Sequence, residues 1–366
     1  MAELRTAHPF HMYDAMQAQP DCVARVLTSQ QQTILRAAEA AAGRHRIFLC
    51  GIGTSYHAAM VAAHLLRHFM SGLHAAVGQS FEFVHYPTAL RAEDAVIVIS
   101  HRGWKGYSVQ ALSAARAAGA LAVAFTGQGG EHGMGSADFL VETCEQEASA
   151  AHTKSYASAL AALALFAIRV AECRRYVTPE DATRAATALT DVPQLQRAAL
   201  GLEAQVKKLA PLMAQRSRWI FLGAGPNWST ACEGALKVKE TAYIAAEGLQ
   251  VEQFLHGPIA EIHEHAAVIA HMAGGSGDYR TAAALRAVGE LGALRLLLAT
   301  QGAAPDDAAA EHVLTLPVVS EWRSPLVHVV PLQLLAYFAA LACGTNPDTC
   351  RRDQPAHTRA HQHYEL

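Results

Sequence analysis

Short runs of consecutive apolar residues alternate with longer stretches of helical periodicity along this chain. The run Ile47–Cys50 ends in a glycine-rich turn, Gly51–Ser55, and a helical pattern follows over about Tyr56–Phe69. The same order of strand, glycine-rich turn and helix recurs from Ile220–Gly225 onward, about one domain length later. Recurrence at that spacing indicates an internal duplication, so we expect two copies of one fold.

Further apolar runs in each copy predict additional strands. They are continuous rather than alternating, which is typical of parallel strands that are buried on both faces. Alanine-rich helical stretches separate them, so the predicted fold class is α/β, with each copy a parallel sheet sandwiched between helices in three layers. The additional predicted strands are Ala76–Val77, Ala95–Ile99 and Leu121–Phe125 in the first copy, and Ala267–Ala270 and Leu296–Ala299 in the second.

The length of the chain also favours two domains, because 366 residues exceed the usual limit of about 250–300 residues for a single core. Pro179 fits the entrance of a helix between the domains, and Pro193 lies inside the same linker. The predicted boundaries are a helical lead-in at 1–44, a first domain at 45–177, a helical linker at 178–210, a second domain at 211–344 and a tail at 345–366.

Composition narrows the class of protein. Hydrophobic residues make up 51% of the chain and charged residues 17%, as in a compact globular enzyme. A net charge of -3 provides no overall field for nucleic acid or an anionic membrane, so neither is an expected partner. The seven cysteines are scattered without CxxC spacing, as reduced thiols are. With no leader pattern and no uninterrupted apolar run of about 18–20 residues, we expect a cytoplasmic protein.

One predicted helix carries two carboxylates and a lysine on a single face. Glu233, Lys237 and Glu240, the charged triad, stand at i, i+4 and i+7, within roughly 60° of one face. Moving a proton between adjacent sugar carbons needs a carboxylate base and a cation that steadies developing negative charge, and this face offers both. His256 follows in a His-Gly-Pro turn and could relay a hydroxyl proton. The alternative is a solvated helix in which Glu233 and Lys237 form an ion pair worth about 0.2–0.5 kcal/mol.

The glycine-rich turn of the first copy offers a phosphate site. It resembles a dinucleotide fingerprint, but Tyr56 stands where the third glycine belongs, and no acidic residue lies about 20 positions further on. We therefore expect no nicotinamide, and we predict neither a cofactor nor a metal. Gly53, Thr54 and Ser55 would instead direct backbone N–H groups and hydroxyls at a phosphate on the helix amino-terminus.

Two further segments place hydrogen-bond donors beside predicted helices. The first segment is the loop Ser100–Lys105, in which Arg102 and Lys105 could each bind a phosphate. Alternatively, one of these two side chains contacts only solvent or a neighbouring carboxylate. The second, Glu147–Tyr156, precedes a helix that Thr153 and Ser149 could cap. The candidate ligands in these segments are Ser100, His101, Arg102, Gly103 and Lys105, together with Ala150, Ala151 and Thr153.

Several of these motifs occur together in one known family. The pieces CGIGTSYHAAM, AHTKSY, EGALKVKE, HGP and PLQLLAYFAALACGTN stand in that family's order and spacing. With them, residues from about 12 to 349 resemble the isomerase half of glutamine–fructose-6-phosphate aminotransferase (glucosamine-6-phosphate synthase), which consists of two sugar isomerase (SIS) domains.

The resemblance implies roles for several residues. Ser55 and the loop Ser100–Lys105 would hold the sugar phosphate. Glu240 would be the base that moves a proton between C1 and C2, and the rest of the charged triad would lie in the same pocket. His256 would assist ring opening from the neighbouring subunit, which implies a homodimer with active sites at the subunit interface.

The sequence departs from the family in three places. Family members that use glutamine carry a separate amino-terminal glutaminase, for which we expect no room here, so glutamine hydrolysis is not expected. The phosphate loop, typically of SQSGET type, reads SHRGWK. The family's tail lysine, which reaches C2, is missing. The tail residues that could occupy its place are His357, Arg359, His361 and His363, and we interpret the histidine spacing as incidental rather than as a metal site.

Two functions follow from these observations. The first is an aldose–ketose isomerase, or an isomerising deaminase, that acts on a hexose or hexosamine 6-phosphate through an enediol or enediolamine. The alternative is a non-catalytic sugar-phosphate sensor that regulates a partner protein. The altered loop and the missing lysine favour the sensor, whereas the charged triad and His256 favour the enzyme, because binding alone needs no base.

Overall fold

The computed structural model describes residues 3–86, 89–305 and 309–364. These residues form two compact units. The N-sheet unit comprises the described residues of 18–147 and 154–193, and the C-sheet unit comprises those of 3–17, 148–153 and 194–364. Each unit contains one parallel sheet of five strands flanked by helices, which confirms the predicted α/β fold class.

The N-sheet unit is built on strands β1 (Arg46–Gly51), β2 (His74–Gln79), β3 (Asp94–Ser100), β4 (Leu121–Thr126) and β5 (Phe139–Glu142). Their order is β2-β1-β3-β4-β5, and Phe48 of β1 lies opposite Ala76 of β2 and Val96 of β3. All seven residues of β3 are buried, because helices cover both faces of the sheet. The helices are α2 (Gln31–Ala42), α3 (Thr54–Phe69), α4 (Ser80–His85), α5 (Gly106–Ala117), α6 (Glu131–Met134), α7 (Lys154–Cys173) and α8 (Pro179–Thr190), while α1 (His11–Ser29) contributes residues to both units.

The C-sheet unit repeats this connectivity. Its strands are β6 (Arg218–Gly223), β7 (Ala245–Gln250), β8 (Ala266–Met272), β9 (Leu294–Thr300) and β10 (His312–Leu316). Their order, β7-β6-β8-β9-β10, matches that of the first sheet strand for strand. The helices are α9 (Val192–Leu200), whose first two residues belong to the N-sheet unit, α10 (Glu203–Ala214), α11 (Asn227–Thr241), α12 (Val251–Leu255), α13 (Asp278–Glu290), α14 (Ser324–Ala342) and α15 (Pro355–His361), with 3₁₀ turns at Pro258–Glu261 and Glu321–Arg323.

The strands that the sequence did not predict lie at sheet edges. The predicted strands all overlap observed ones, but β5, β7 and β10 were missed, and each is the outermost strand on its side of a sheet. Edge strands are half-exposed and mix polar with apolar residues, as β7 does with two exposed positions among its first three residues.

The linker contains α8, α9 and α10. Pro179 opens α8, where the Thr178 hydroxyl accepts the backbone N–H of Asp181 at 3.1 Å.

Two helices have the length and hydropathy of a membrane span, namely α7 and the helical stretch Glu321–Ala342. Polar or charged residues interrupt both of them, so neither is an uninterrupted apolar run. In their most apolar windows, 83% and 89% of the residues are buried inside the protein. A core position accounts for their composition, since helices that are apolar on all sides also occur inside large soluble folds.

Candidate active site

The charged triad lies on α11, the helix that follows β6. Lys237 Nζ is 2.5 Å from Glu240 Oε2 and 3.3 Å from Glu233 Oε1. The side chains of Glu233 and Lys237 are completely buried, whereas that of Glu240 keeps 24% exposure. This burial excludes the solvated helix face that was the alternative interpretation of the spacing.

Lys237 remains protonated between the two carboxylates. Burial by itself would lower the pKa of an ammonium, but the charges of Glu233 and Glu240 outweigh that effect, and the pKa of Lys237 is raised. An ammonium has three donors, so it can serve both carboxylates at once. It therefore fixes the position of the Glu240 carboxylate and places a positive charge against it.

A cavity of about 250 Å³ opens beside Glu240. Glu240 is the one member of the charged triad that lines it, which agrees with its partial exposure. The end of α11, the segment that leads into β7, and the tail all contribute to its wall. The described residues that line the cavity are Lys239, Glu240, Tyr243, Ile244, Ala245, Cys350, Arg351 and His357.

Residues of the tail line the cavity in this chain, whose tail lacks the family's lysine. Of the four tail residues that the sequence offered for its place, His357 lines the cavity, whereas Arg359, His361 and His363 are not among the lining residues. Arg351 lines the cavity too, and sequence reasoning did not anticipate it.

Hydrogen bonds hold the tail against the C-sheet unit. The Tyr243 hydroxyl accepts the backbone N–H of Arg351 at 2.9 Å, and the guanidinium carbon of Arg351 lies 4.7 Å from the centre of the Tyr243 ring. Upstream, the two carboxylate oxygens of Asp348 accept the backbone N–H groups of His11 and Met12 at the start of α1, each at 2.8 Å. The tail therefore has a fixed course past the cavity.

His256 is not among the residues that line this cavity. Its side chain is 71% exposed, and its Nε2 lies 3.0 Å from Glu252 Oε1. Arg280 hydrogen-bonds the same carboxylate, and Arg280 and then His256 lower the pKa of Glu252 to about 2. The role that the resemblance gave to His256, ring opening from a neighbouring subunit, stays a prediction.

The predicted phosphate turn of the N-sheet unit has the expected local geometry. α3 begins at Thr54, and Gly53 precedes it with φ of 57°, a value that favours glycine. Thr54 and Ser55 are half-buried. A side chain at Gly51 would lie 2.5 Å from the backbone of Ser55, so the close approach of strand and helix also requires glycine. The turn thus presents the amino-terminus of α3 beyond the end of β1, while its role as a phosphate ligand remains a prediction.

The loop after β3 differs from a simple row of cationic ligands. His101 is 9% exposed, and its Nε2 accepts the backbone N–H of Glu147 at 3.3 Å. Burial lowers the pKa of His101 to about 4, so the ring is neutral at pH 7 and brings no positive charge to an anion. Positive charge in this loop comes from Arg102 and Lys105, which are half-buried. The guanidinium carbon of Arg102 lies 6.0 Å from the centre of the Trp104 ring.

Gly103 gives this loop its shape. Its φ is 77°, and its N–H donates to the Ser100 carbonyl at 3.1 Å. A side chain at this position would lie 2.3 Å from the Cα of Gly130, so the turn requires glycine for two independent reasons. The buried Ser100 closes β3, and its carbonyl also accepts the Thr126 hydroxyl at 2.8 Å.

Glu147, which the sequence did not suggest as a cap, hydrogen-bonds the first turn of α7 from within the segment Glu147–Tyr156. The Glu147 carboxylate accepts the backbone N–H and the hydroxyl of Ser155, at 2.9 and 2.5 Å, in the first turn of α7. Ser149, one of the predicted caps, instead accepts the backbone N–H of Ala151 at 3.2 Å. Glu147 could have been found only by allowing a cap from further upstream than the usual position.

The predicted ligands Ala150, Ala151 and Thr153 are positioned less favourably than expected. The Ala150 N–H donates to the Asp348 carbonyl at 2.8 Å, and the Ala151 N–H is taken by Ser149. Thr153 and Ala151 are completely buried. The two alanine N–H groups therefore already have acceptors within the C-sheet unit, which argues against their use as phosphate donors in this conformation.

Comparison with known proteins identifies the family. The model of the SIS domain matches residues 42–169 and 212–342. The chain belongs to the SIS domain family. It is 29% identical to the glutamine–fructose-6-phosphate aminotransferase of Thermococcus kodakarensis over 96% of this chain and 58% of that protein. It is 33% identical to that of Gloeobacter violaceus over 84% of this chain and 50% of that protein. The chain thus spans about half to three-fifths of the length of these relatives.

Solved structures share the fold over nearly the whole chain. The carboxyl-terminal domain of glucosamine-fructose-6-phosphate aminotransferase from Francisella tularensis gives a TM-score of 0.85 at 22% identity and covers 94% of this chain and 99% of that one. Glucosamine-6-phosphate deaminase from Thermotoga maritima gives a TM-score of 0.73 at 17% identity, covering 93% of this chain and 97% of that one. Both confirm the predicted resemblance in fold.

The SIS match also divides the site into two parts. α11, with the charged triad, lies inside the second matched segment, whereas the cavity residues of the tail lie beyond residue 342. A family pattern can therefore point to Glu240 but not to Arg351. No local signal marks Arg351, because its place at the cavity depends on contacts with Tyr243, which lies 108 residues earlier in the chain.

Proposed function

We propose that this chain is a sugar-phosphate isomerase or isomerising deaminase that acts on a hexose or hexosamine 6-phosphate. The observation that carries the proposal is the Glu240 carboxylate, which lines the cavity while the buried Lys237 holds it from behind at 2.5 Å. A carboxylate that is held in place and open to a cavity on one side is suited to general-base catalysis.

The reaction is a proton transfer between adjacent carbons of the open-chain sugar. Glu240 takes the proton from C2, the electron pair of that C–H bond forms the C1–C2 double bond, and the C1–O1 π bond breaks as O1 takes up a proton, which gives an enediol, or an enediolamine where C2 bears nitrogen. Glu240 then returns the proton to C1 while the O2–H proton, or one N–H proton, leaves, and the electron pair that it leaves behind forms the C2=O bond of the ketose or the C2=N bond of an imine. Lys237 keeps the carboxylate in place and counters negative charge near it. In a deaminase, water would then hydrolyse the resulting imine and ammonia would leave.

The named relatives support this class of reaction. The curated relatives are named as isomerising aminotransferases, and the solved structures include a glucosamine-6-phosphate deaminase and a tagatose-6-phosphate ketose/aldose isomerase. All these names describe a phosphorylated hexose or hexosamine. We expect the phosphate at Ser55 and at the loop Ser100–Lys105, with Arg102 and Lys105 supplying the charge. We also expect a cytoplasmic homodimer.

A non-catalytic sugar-phosphate sensor is the second candidate. The loop after β3 favours it, because His101 is buried and neutral where the family's SQSGET-type loop has a glutamine. The charged triad argues against it. Keeping an ammonium completely buried between two carboxylates has a large desolvation cost, and a site that only binds a sugar has no need for it.

Hydrogen exchange distinguishes the two candidates. The protein is incubated in D2O with a panel of hexose and hexosamine 6-phosphates, and deuterium at C2 is followed by NMR. We expect exchange with the wild type and a fall of about 10²–10⁴-fold in Glu240→Gln, the usual loss for a general base. Glu290→Gln, an exposed carboxylate at the end of α13, is the matched control and should exchange normally. Binding of a sugar phosphate without exchange across the panel would favour the sensor.

A further inference from the structure

The proposed proton transfer uses Glu240 and leaves the basic residues of the same cavity without a role. Lys239, Arg351 and His357 line the cavity, and Glu240 is the one carboxylate among the described lining residues. Its charge already meets Lys237 at 2.5 Å. None of the three basic residues forms an ion pair within the described part of the chain. The cavity therefore offers an excess of positive charge to a ligand.

Contacts with neighbouring residues hold the Arg351 side chain in one orientation. Its Nε donates to Gln354 Oε1 at 3.2 Å, its backbone N–H donates to the Tyr243 hydroxyl, and its guanidinium stacks on the Tyr243 ring. These contacts use the face and one edge of the guanidinium. Among the residues that the structure describes, none accepts a hydrogen bond from its terminal N–H groups, which remain for a ligand in the planar fork that matches a carboxylate.

The backbone around the cavity is strained. Tyr243, Cys350 and Arg351 have φ of 59°, 47° and 66°, and they are three of the four non-glycine residues in the left-handed region among the residues described. All three line the cavity. Glycine would adopt these values without strain, so the strain accompanies side chains that make contacts at the cavity. Strained backbone of this kind concentrates at ligand sites.

We propose that Arg351, with Lys239 and His357, forms a subsite for a carboxylate that the sugar phosphate carries on an amino substituent at C1 or C2. The inference rests on the proposed function, because Glu240 must face C2 for such a substituent to enter the same cavity. The cavity has room for it: about 250 Å³ is many times the roughly 10–15 Å³ that holds one water. Arg351 is then a specificity-determining residue, and the tail selects which sugar phosphates are used.

A pair of ligands that differ in one charge tests the subsite. Binding of N-carboxymethyl-glucosamine 6-phosphate is compared with that of its uncharged amide by calorimetry, for the wild type, Arg351→Gln and Arg351→Lys. We expect the wild type to bind the carboxylate at least about tenfold more tightly than the amide, as a charge-assisted bidentate pair allows. Arg351→Gln should reduce that preference to within about twofold, and Arg351→Lys should retain part of it.

Arg359→Gln is the matched control, because it removes an arginine from the same tail that does not line the cavity. Its preference should equal that of the wild type. Equal binding of the two ligands by the wild type, a preference that survives in Arg351→Gln, or failure of the wild type to bind either ligand would each overturn the subsite. Exchange at C2 in D2O is followed in the same samples. Exchange without preference refutes the subsite alone, whereas preference without exchange refutes the isomerase alone.

Discussion

Replacement of Lys237 by methionine tests whether the charged triad is as buried and as coupled as its geometry indicates. The side chain of Lys237 is completely buried, and its ammonium contacts carboxylates at 2.5 and 3.3 Å. Methionine fills a similar volume but leaves Glu233, also completely buried, without its ammonium. Removing one partner of a buried ion pair costs about 3–5 kcal/mol. That is a large share of the roughly 5–15 kcal/mol that stabilises an ordinary domain.

The assay is urea unfolding followed by circular dichroism, with the free energy of unfolding compared at several pH values. The difference between wild type and Lys237→Met should be largest at neutral pH and should shrink as the pH falls, since a buried carboxylate that takes up a proton no longer needs a counter-charge. In the wild type the carboxylates raise the pKa of Lys237. Its contribution is therefore complete below the ordinary lysine value of about 10.4 and is lost as the pH rises above it.

Two controls sharpen this experiment. Lys239→Met removes an exposed lysine from the same helix and should change the free energy of unfolding by less than about 0.5 kcal/mol. Adding Glu233→Gln to Lys237→Met removes the uncompensated charge and should recover a substantial part of the loss. If Lys237→Met unfolds within about 1 kcal/mol of the wild type at pH 7, or with a difference independent of pH, the reasoning about the triad is refuted.

Two further predictions concern the subunit interface and the tail. If His256 acts from a neighbouring subunit, unfolding a mixture of inactive Glu240→Gln and His256→Ala chains and refolding them together should restore about a quarter of wild-type exchange. Half of the random dimers would then contain one intact site out of two. No recovery of exchange would place His256 outside the partner's site. Asp348→Ala removes the acceptor for His11 and Met12 at the start of α1 and should lower the free energy of unfolding by about 1–2 kcal/mol, with Asp353→Ala in the same tail as comparison; an unchanged value would mean that water replaces the carboxylate.

Because Lys237 is buried and Glu240 lines the cavity, these two members of the charged triad have different roles in the site. Lys237 cannot reach a ligand in the cavity directly, because its side chain has no exposure and it is absent from the lining. It acts through Glu240, whose carboxylate it holds at 2.5 Å. Substitution of Lys237 is therefore expected to reduce exchange at C2 through misplacement of the base, so its effects on rate and on stability should appear together.

The sequence by itself determined the features that depend on local periodicity. Continuous apolar runs in Ala95–Ile99 and Leu121–Phe125 can satisfy neither a solvated sheet nor an amphipathic helix, so they predicted buried parallel strands. Spacing of i, i+4 and i+7 fixes a common helix face whatever the surroundings, so it placed Glu233 and Glu240 on the side of Lys237. Gly53 likewise predicted a turn before α3, because glycine tolerates backbone conformations that few other residues adopt.

Only the tertiary structure decided what those faces meet. Whether the face of α11 is solvated or buried depends on helix α14 and on the tail, which lie about a hundred residues away along the chain. The same holds for His101, which became a neutral packed ring because distant backbone closes over it. Arg351 reaches the cavity only through a strained turn held by Tyr243. Local patterns carry no information about contacts at such separations, because those contacts are fixed by packing of whole elements rather than by the order of neighbouring residues.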